Sequence, residues 1–244
     1  MKVAVCISSE LRFFDMCHKN IANFFKNYSV DYFIHGWDNK TILNHGDEKN
    51  NNSYHMEDLS QEKINLVSML YEPKKIKIEK KPHFDFPIAH SQFYSFYASH
   101  SLMEEYVKET NTKYDVVVKI RPDLIWDPKL SFHTNQFDPT TLYITHSGMN
   151  IGMGAIITLD RFFYGSPAIM KKMSSLYDAN VESLGKIPVS DSLPEQFIYK
   201  YCNDNNIPCT VHGMNENIVR IQSIGLDTIK DFDTIIKDCV KFYQ

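Results

Sequence analysis

The sequence predicts an α/β protein built on a mostly parallel central sheet. Two apolar runs rich in β-branched residues, 3–7 and 114–120, read as strands buried on both faces, the pattern of a parallel sheet. Stretches with apolar residues at helical spacing precede or follow such runs, at 13–27 and 88–110. Strand, helix and strand follow one another between 3 and 34, the unit that feeds a parallel sheet. With 244 residues, 43% of them hydrophobic, one domain can bury a sizeable core.

In chain order, strand 3–7 leads into a loop, Ser8-Ser9-Glu10-Leu11-Arg12. Helix 13–27 sets Phe14, Cys17, Ile21, Phe24 and Phe25 at helical spacing. A second strand, 31–34, exits through His35-Gly36-Trp37-Asp38. Residues 39–60 are polar and aperiodic, and read as a long lid or excursion. A short helix is expected at 61–71. At 74–81, Ile76 and Ile78 alternate with Lys75 and Lys77, which suits an edge strand. Those lysines are either an anion site or a solvated face.

A turn-rich link at 82–87 precedes the longest helix, 88–110, with a stripe of Phe93, Phe96, Tyr97, Leu102, Met103, Tyr106 and Val107. The central strand 114–120 stops by Pro122, since proline cannot donate to a ladder. Later strands are expected at 142–145, 155–159, 209–212 and 218–221. Three glycines within 146–154 suit a mobile loop or a close backbone approach. Residues 160–165 read as a turn into a helix capped by Ser166, with Pro167 at its first position. Ser192 and Glu195 fit a capping box that opens a helix to about residue 205. A closing amphipathic helix is expected at 228–242.

Composition narrows the function. A net charge of −4 and the lack of a basic stripe argue against nucleic acid as a partner. The five cysteines (Cys6, Cys17, Cys202, Cys209 and Cys239) are odd in number and form no C-x-x-C, which points to a reducing compartment. The apolar start is too short for a signal segment or a membrane span, so the reading is a soluble cytoplasmic protein without a transmembrane segment. No G-x-S-x-G, H-E-x-x-H or G-x-x-x-x-G-K-[ST] occurs, nor a metal-spaced Cys/His cluster.

The polar residues group by topology. Ser8 to Arg12, His35 to Asp38, Arg121 to Asp123 and the loop after 145 all fall at expected carboxyl ends of strands, where open α/β sheets bind ligands. There Asp123 can bind a divalent cation, Arg121 or Arg12 can pair a diphosphate, and Trp37 or a tyrosine can stack on a base or sugar. Each has a plainer alternative. Arg121 and Asp123 can be an ion pair closing a strand end, and Arg12 a cap or surface pair. Asp38 can make an Asx-turn, and Glu195 can simply complete the capping box. His35 and His212 can be satisfied structural histidines.

Four segments, taken in their order and spacing, carry a resemblance. Val3-Ala4-Val5-Cys6-Ile7-Ser8-Ser9-Glu10-Leu11-Arg12 is similar to an ICLSGQLR opening. Asp31-Tyr32-Phe33-Ile34-His35-Gly36-Trp37-Asp38 is similar to DVFIHTWD. The stretch from Tyr114 to Leu124 is similar to YDVVIRxRPDL, and that from Asp160 through Pro167 to Met170 to DxFxYGSPxxM. Pro194-Glu195-Gln196 fits a late xEQ. These patterns resemble the small glycosyltransferases of bacterial capsule and lipopolysaccharide gene clusters and of large algal viruses and phages.

The resemblance implies a glycosyltransferase-A (GT-A) fold, a Rossmann-like nucleotide-binding sandwich in one domain, 1–244. Residues 1–126 would form its nucleotide-sugar half and 127–244 its acceptor side. It implies a hexosyltransferase-type enzyme using a nucleotide-sugar donor, a UDP-sugar being favoured, a glycan or other hydroxyl acceptor, and Mn²⁺ or Mg²⁺. The setting would be surface-polysaccharide or glycoprotein-glycan synthesis in the cytoplasm, the host's if the chain is viral. Arg121-Pro122-Asp123 would stand in the place of the family's D-x-D motif, with Arg121 replacing the first acid. Asp123 would hold the metal with His212, and Arg121 would neutralise part of the diphosphate. Ser8, Arg12, Trp37, Asp38 and Gln92 complete the expected donor site, and Asp160 and Glu195 are the expected bases near the acceptor. Two rivals stand beside this reading: a nucleotide-sugar-binding protein without transfer activity, and a non-catalytic domain of a polysaccharide-synthesis machine. A third rival, a nucleotidyltransferase of similar fold, is disfavoured because the Gly-rich start with a Lys/Arg signature is absent from this sequence.

Overall fold

Strand β1 (Lys2–Glu10) is the centre from which the architecture grows. Its side chains alternate between two cores: Val3, Val5 and Ile7 enter one, Ala4 and Cys6 the other. A strand buried on both faces needs a backbone partner on each side. β2 (Ser29–Trp37) and β6 (Val116–Ile120) supply them, both parallel to β1. The computed structural model describes residues 1–44, 53–81, 88–126, 131, 132, 134, 137–146, 158–183, 194–212 and 216–218. Within these, only the backbone is described at 40–44, 53–56, 88, 89, 145, 146, 158–160, 183, 195, 196, 211, 212 and 216–218.

Three further strands and one edge complete the sheet. β5 (Lys75–Glu79) lies outside β2 and parallel to it, the expected edge strand. On the other side, β9 (Thr158–Gly165) runs antiparallel to β6, followed by β8 (Leu142–His146) and β10 (Cys209–His212). The order is β10-β8-β9-β6-β1-β2-β5, and only the pairings of β9 are antiparallel. The protein is therefore α/β with a mostly parallel seven-stranded sheet. Helices α1 (Phe14–Phe24) and α2 (Gln61–Tyr71) cover the Val3 face. Helices α3 (Ile88–Thr110), α4 (Pro167–Ser174), α5 (Leu176–Ser183) and α6 (Pro194–Asp204) contribute to the core on the Ala4 face. Each fully buried aliphatic or aromatic side chain in these cores stabilises by about 1.5–3 kcal/mol. No helix among the described residues is long and apolar enough to cross a membrane.

Several elements differ from the sequence reading. Ser8 to Glu10 and His35 to Trp37 are not loops. β1 and β2 stay paired through Ser8↔His35 and Glu10↔Trp37, so the ladder carries polar residues into the interior. Residues 39–58 include a ribbon, β3 (Asn39–Asn44) antiparallel to β4 (Ser53–Asp58). It stands outside the main sheet, so it has no face that must read as apolar. Residues 160–165 are strand, not turn: Phe162 and Tyr164 enter one core and Phe163 the other, which is strand alternation. A short strand, β7 (Leu124–Trp126), follows the central one and pairs with β11 (Glu216–Ile218), earlier than the expected 218–221. The link 82–87, the glycine loop from 147, the residues around Ser192 and the closing helix 228–242 lie outside the described residues.

The long helix also differs in its inward face. Ser91, Ser95 and Ser99 are buried at four-residue spacing with His100, while Tyr97 is 38% exposed. Small hydroxyl residues let the helix axis approach β1 and β2 closely. The hydroxyl of Ser99 satisfies itself on Phe96 O at 2.9 Å.

One side-chain amide locks β7 in place. Asn20 of α1 donates from Nδ2 to Trp126 O at 2.8 Å, and Trp126 N–H donates to Asn20 Oδ1 at 2.8 Å. The amide thus acts as a strand partner, and the Trp126 ring stacks on Phe24 at 4.1 Å and 6°. Asn20→Ala leaves a buried N–H and a buried C=O unpaired, so urea unfolding should show a loss of about 2–4 kcal/mol.

Candidate functional site

The site is built at the carboxyl ends of β1, β2, β5 and β6. β1 leaves the sheet by a tight turn, in which Arg12 N–H donates to Glu10 O at 2.8 Å. Phe13 then takes a left-handed conformation (φ 54°, ψ 16°) before its carbonyl accepts from Met16 and Cys17 to open α1. A bulky residue pays backbone strain there, of order 1–3 kcal/mol. The anchor of the turn is Leu11, 2% exposed, which sits on Gly36 of β2. A Cβ at Gly36 would lie 2.6 Å from Leu11 Cγ, so only glycine lets Leu11 drop in.

Beside that turn, β6 ends at Ile120 and Arg121-Pro122-Asp123 follows. Arg121 grips Asp123 with two hydrogen bonds, Nε to Oδ1 at 2.9 Å and Nη2 to Oδ2 at 2.6 Å. Both residues are buried, at 8% and 2% exposure. Arg12 brings Nη2 to 3.9 Å from Asp123 Oδ2 and Nε to 3.4 Å from Glu10 Oε2. Lys81, just past β5, holds the other oxygen of Glu10. Burial by itself would raise the Asp123 pKa. The charge of Arg121, its hydrogen bonds and Arg12 together outweigh that and hold the carboxyl below its usual value. The ion pair that could merely close a strand end does close it, and Arg12 joins it to the neighbouring strand.

A second feature marks the same edge. Ser8 Oγ, Arg12 Nε, Asp38 Oδ1, Asn39 Oδ1 and Gln92 Oε1 are buried and have no hydrogen-bond partner. They are five of seven such atoms among the described residues, the others being on His100 and Trp126. Each unmatched buried polar group costs about 1–3 kcal/mol, so their grouping calls for a polar ligand or water. Asp38 is fixed through its backbone, donating to Glu79 O at 2.8 Å and accepting from Leu59 N–H at 2.6 Å. Ser8, Arg12, Asp38 and Gln92 are thus brought to one edge with Arg121 and Asp123. The sequence reading missed Asn39, Glu10 and Lys81 as site residues. Asn39 directly follows Asp38 and Glu10 flanks Arg12, which was the available signal.

Trp37 does not join them. It is 3% exposed, stacked on Tyr94 at 5.6 Å with His35 edge-on at 5.0 Å, so no ligand can lie on its ring. It is a packing residue, because β2 extends through it. His35 is a satisfied structural histidine: Nε2 meets Glu79 Oε2 at 2.9 Å and Nδ1 meets Ser95 Oγ at 2.8 Å. The neutral ring that donates to Glu79 and accepts from Ser95 fits both contacts. Tyr94 also donates to Glu79 at 2.8 Å. Lys77 pairs with Glu79, and Lys75 with Glu105 and Glu109, so the edge-strand lysines are engaged by carboxylates.

The remaining expected residues are placed by backbone. Asp160 lies in β9. It precedes Phe162 by two residues, and Phe162 pairs with Ile120, the last residue of β6, so the backbone at Asp160 lies past the carboxyl end of that strand. Glu195 is the second residue of α6, one turn before Ile198, which with Gln92, Lys119 and Phe163 lines a small space under the edge. His212 ends β10, three strands from β6, about 14 Å at the usual strand spacing.

A divalent ion at Asp123 fits the described residues poorly. Both Asp123 oxygens are taken by Arg121, both Glu10 oxygens face cations, and no group of three His, Cys, Asp or Glu among the described residues can hold a metal.

The chain matches no protein-family model and no curated protein. Among solved structures it is similar to a glycosyltransferase involved in the glycosylation of the major capsid of PBCV-1. The identity is 8% and the TM-score 0.45, over 87% of this chain and 82% of that one. At that distance the likeness assigns no residue and no activity.

Two outcomes are expected. Gly36→Ala should destabilise by about 1–3 kcal/mol in urea unfolding, and less so in a Leu11→Ala background, because the clash is with Leu11. The second concerns pH. Burial lowers the His35 pKa to about 4, so the unfolded chain binds a proton below pH 6.5 that the folded chain refuses. Stability should be full above pH 6.5 and fall by on the order of 2 kcal/mol toward pH 4.5. Glu79, its carboxyl held down to about 2 by Lys77, Tyr94 and His35 against the opposing pull of desolvation, adds a loss of the same sign below pH 4.5. Melting curves of His35→Gln should show a flatter slope between pH 6.5 and 4.5.

Proposed function

We propose that the chain is a glycosyltransferase of hexosyltransferase type. It moves a sugar from a nucleotide-sugar, a UDP-sugar being favoured, to a hydroxyl of a glycan acceptor, in surface-polysaccharide or glycoprotein-glycan synthesis in the cytoplasm. One observation carries the reading: the unpartnered buried atoms of Ser8, Arg12, Asp38, Asn39 and Gln92 share an edge with the Arg12–Asp123–Arg121 cluster. The chemistry of these atoms suits such a donor. The acceptors on Asp38 and Asn39 match ribose hydroxyls or base N–H groups, and Ser8 and Arg12 can donate to phosphate oxygens. The segment resemblance of residues 3–12, 31–38 and 114–124 covers Ser8, Arg12, Asp38, Arg121 and Asp123, though not Asn39 or Gln92.

The mechanism follows from charge. Breaking the sugar–phosphate bond develops negative charge on the leaving diphosphate and oxocarbenium character on the sugar. Arginines 12 and 121 are assigned to the diphosphate, where pre-set donors are most effective in a water-poor site. An inverting enzyme also needs a carboxylate to take the proton of the acceptor hydroxyl. Asp160, two residues before Phe162 in β9, and Glu195, at the start of α6, are assigned that role.

The reading is tested by melting temperature against UDP-, GDP-, CMP- and dTDP-sugars, each with and without Mn²⁺. A donor at a hundred times its Kd adds about 2.7 kcal/mol and should raise Tm by several degrees. Arg12→Gln should keep the unliganded Tm, because its side chain is 33% exposed, and should lose most of the shift. If no nucleotide-sugar moves Tm, the donor reading fails.

A further inference from the structure

We infer that the donor diphosphate is held by arginine and not through a divalent cation, with Asp123 as the positioning residue for Arg121. This rests on the donor reading above. A carboxylate that binds Mg²⁺ or Mn²⁺ must present an oxygen lone pair to the ion. Asp123 is 2% exposed, and Arg121 occupies both of its oxygens in the two-pronged arrangement that suits guanidinium best. Each of those oxygens keeps a further lone pair, but it is buried, and an ion reaching it would stand against two guanidinium groups, with Arg12 already 3.9 Å from Oδ2. Glu10 offers no second ligand, since Lys81 and Arg12 face its two oxygens.

The same groups suit an anion. Lys81, Arg12 and Arg121 bring three cations to this cluster, where Glu10 and Asp123 bring two carboxylates and Asp38 on the same edge a third, so two guanidinium groups stand at the site without an excess of negative charge. Arg12 is the residue able to turn. Its side chain is 33% exposed, its ion-pair contacts to Glu10 and Asp123 are long, at 3.4 and 3.9 Å, and its Nε makes no hydrogen bond. The Glu10–Arg12 turn and the seat of Leu11 on Gly36 fix its backbone at the mouth of the site. Ser8 Oγ on the same strand is a further unpartnered group able to donate. Asp123 thus serves the site by holding a guanidinium, not by holding a metal.

The test is calorimetric titration of the full chain with UDP, GDP and inorganic pyrophosphate, in EDTA and again in MnCl₂. The inference expects the Kd of the binding nucleotide and of pyrophosphate to agree within about twofold between the two buffers. Arg12→Gln should weaken both about tenfold or more in EDTA, and Arg12→Lys should fall between, keeping charge but losing the fork. Binding should also weaken steadily with added salt. Asp123→Glu, which keeps the charge, should bind better than Asp123→Asn at matched melting temperature. Nucleotide binding that occurs only with Mn²⁺ and vanishes in EDTA overturns the inference and leaves the donor reading standing. Metal-free binding untouched by Arg12→Gln overturns the arginine assignment. Failure of every nucleotide in both buffers overturns the donor reading and the inference with it.

Discussion

Everything at this edge depends on the backbone ladder that β1 keeps with β2. The apolar run of β1 ends at Ile7, and so does its pairing with β6, but its pairing with β2 does not. The pairing continues past Ile7 and Ile34 to Glu10 and Trp37, and so draws Ser8, Ser9, Glu10 and His35 into the interior. A charged or hydroxyl group placed there must find a partner or remain unsatisfied. Glu10 and His35 find partners in Lys81, Glu79 and Ser95; Ser8 does not. The ladder therefore sets both the stability of the edge and its appetite for a polar ligand.

The Arg121–Asp123 fork follows from the same geometry one strand away. β6 is confined between β1 and β9, and proline ends its ladder one residue after Arg121. Asn20 then recaptures the chain at Trp126 by imitating a strand partner. Between those two points Asp123 is buried, where an isolated carboxylate is costly and a bidentate guanidinium offsets it. The pairing thus answers that burial. Its effect on function is to leave a guanidinium, not a carboxylate, as the group that stiffens the site.

Much of this was legible in the sequence where burial and period coincide. Helix α3 runs over the predicted 88–110 and β10 over 209–212, because an amphipathic stripe and a short β-branched stretch each leave a local mark. The carboxyl-edge cluster was legible as well, since parallel strands share one direction. What was hidden depends on partners far along the chain. Whether Ser8 to Glu10 are loop or ladder is decided by how far β2 continues. Whether Trp37 is a stacking platform or core is decided by Tyr94, fifty-seven positions on. The ribbon of β3 and β4 was hidden for another reason: outside the main sheet it has no face that must be apolar, so period carries no signal.

The contrast between Trp37 and Arg12 sharpens what the edge can do. Both were read as donor residues at the ends of adjacent strands. The ladder buries Trp37 against His35 and Tyr94, whereas the turn after Glu10 leaves the Arg12 side chain partly exposed between Glu10 and Asp123, with its backbone pinned by Leu11. On the proposed function, recognition at this edge rests on charge and hydrogen bonds more than on ring stacking at Trp37. A fixed backbone whose cation makes only long contacts would also suit a leaving group whose charge grows during reaction. The guanidinium can exchange its long contacts to Glu10 and Asp123 for shorter ones to the developing anion, while the buried Arg121–Asp123 fork keeps the floor of the site in place.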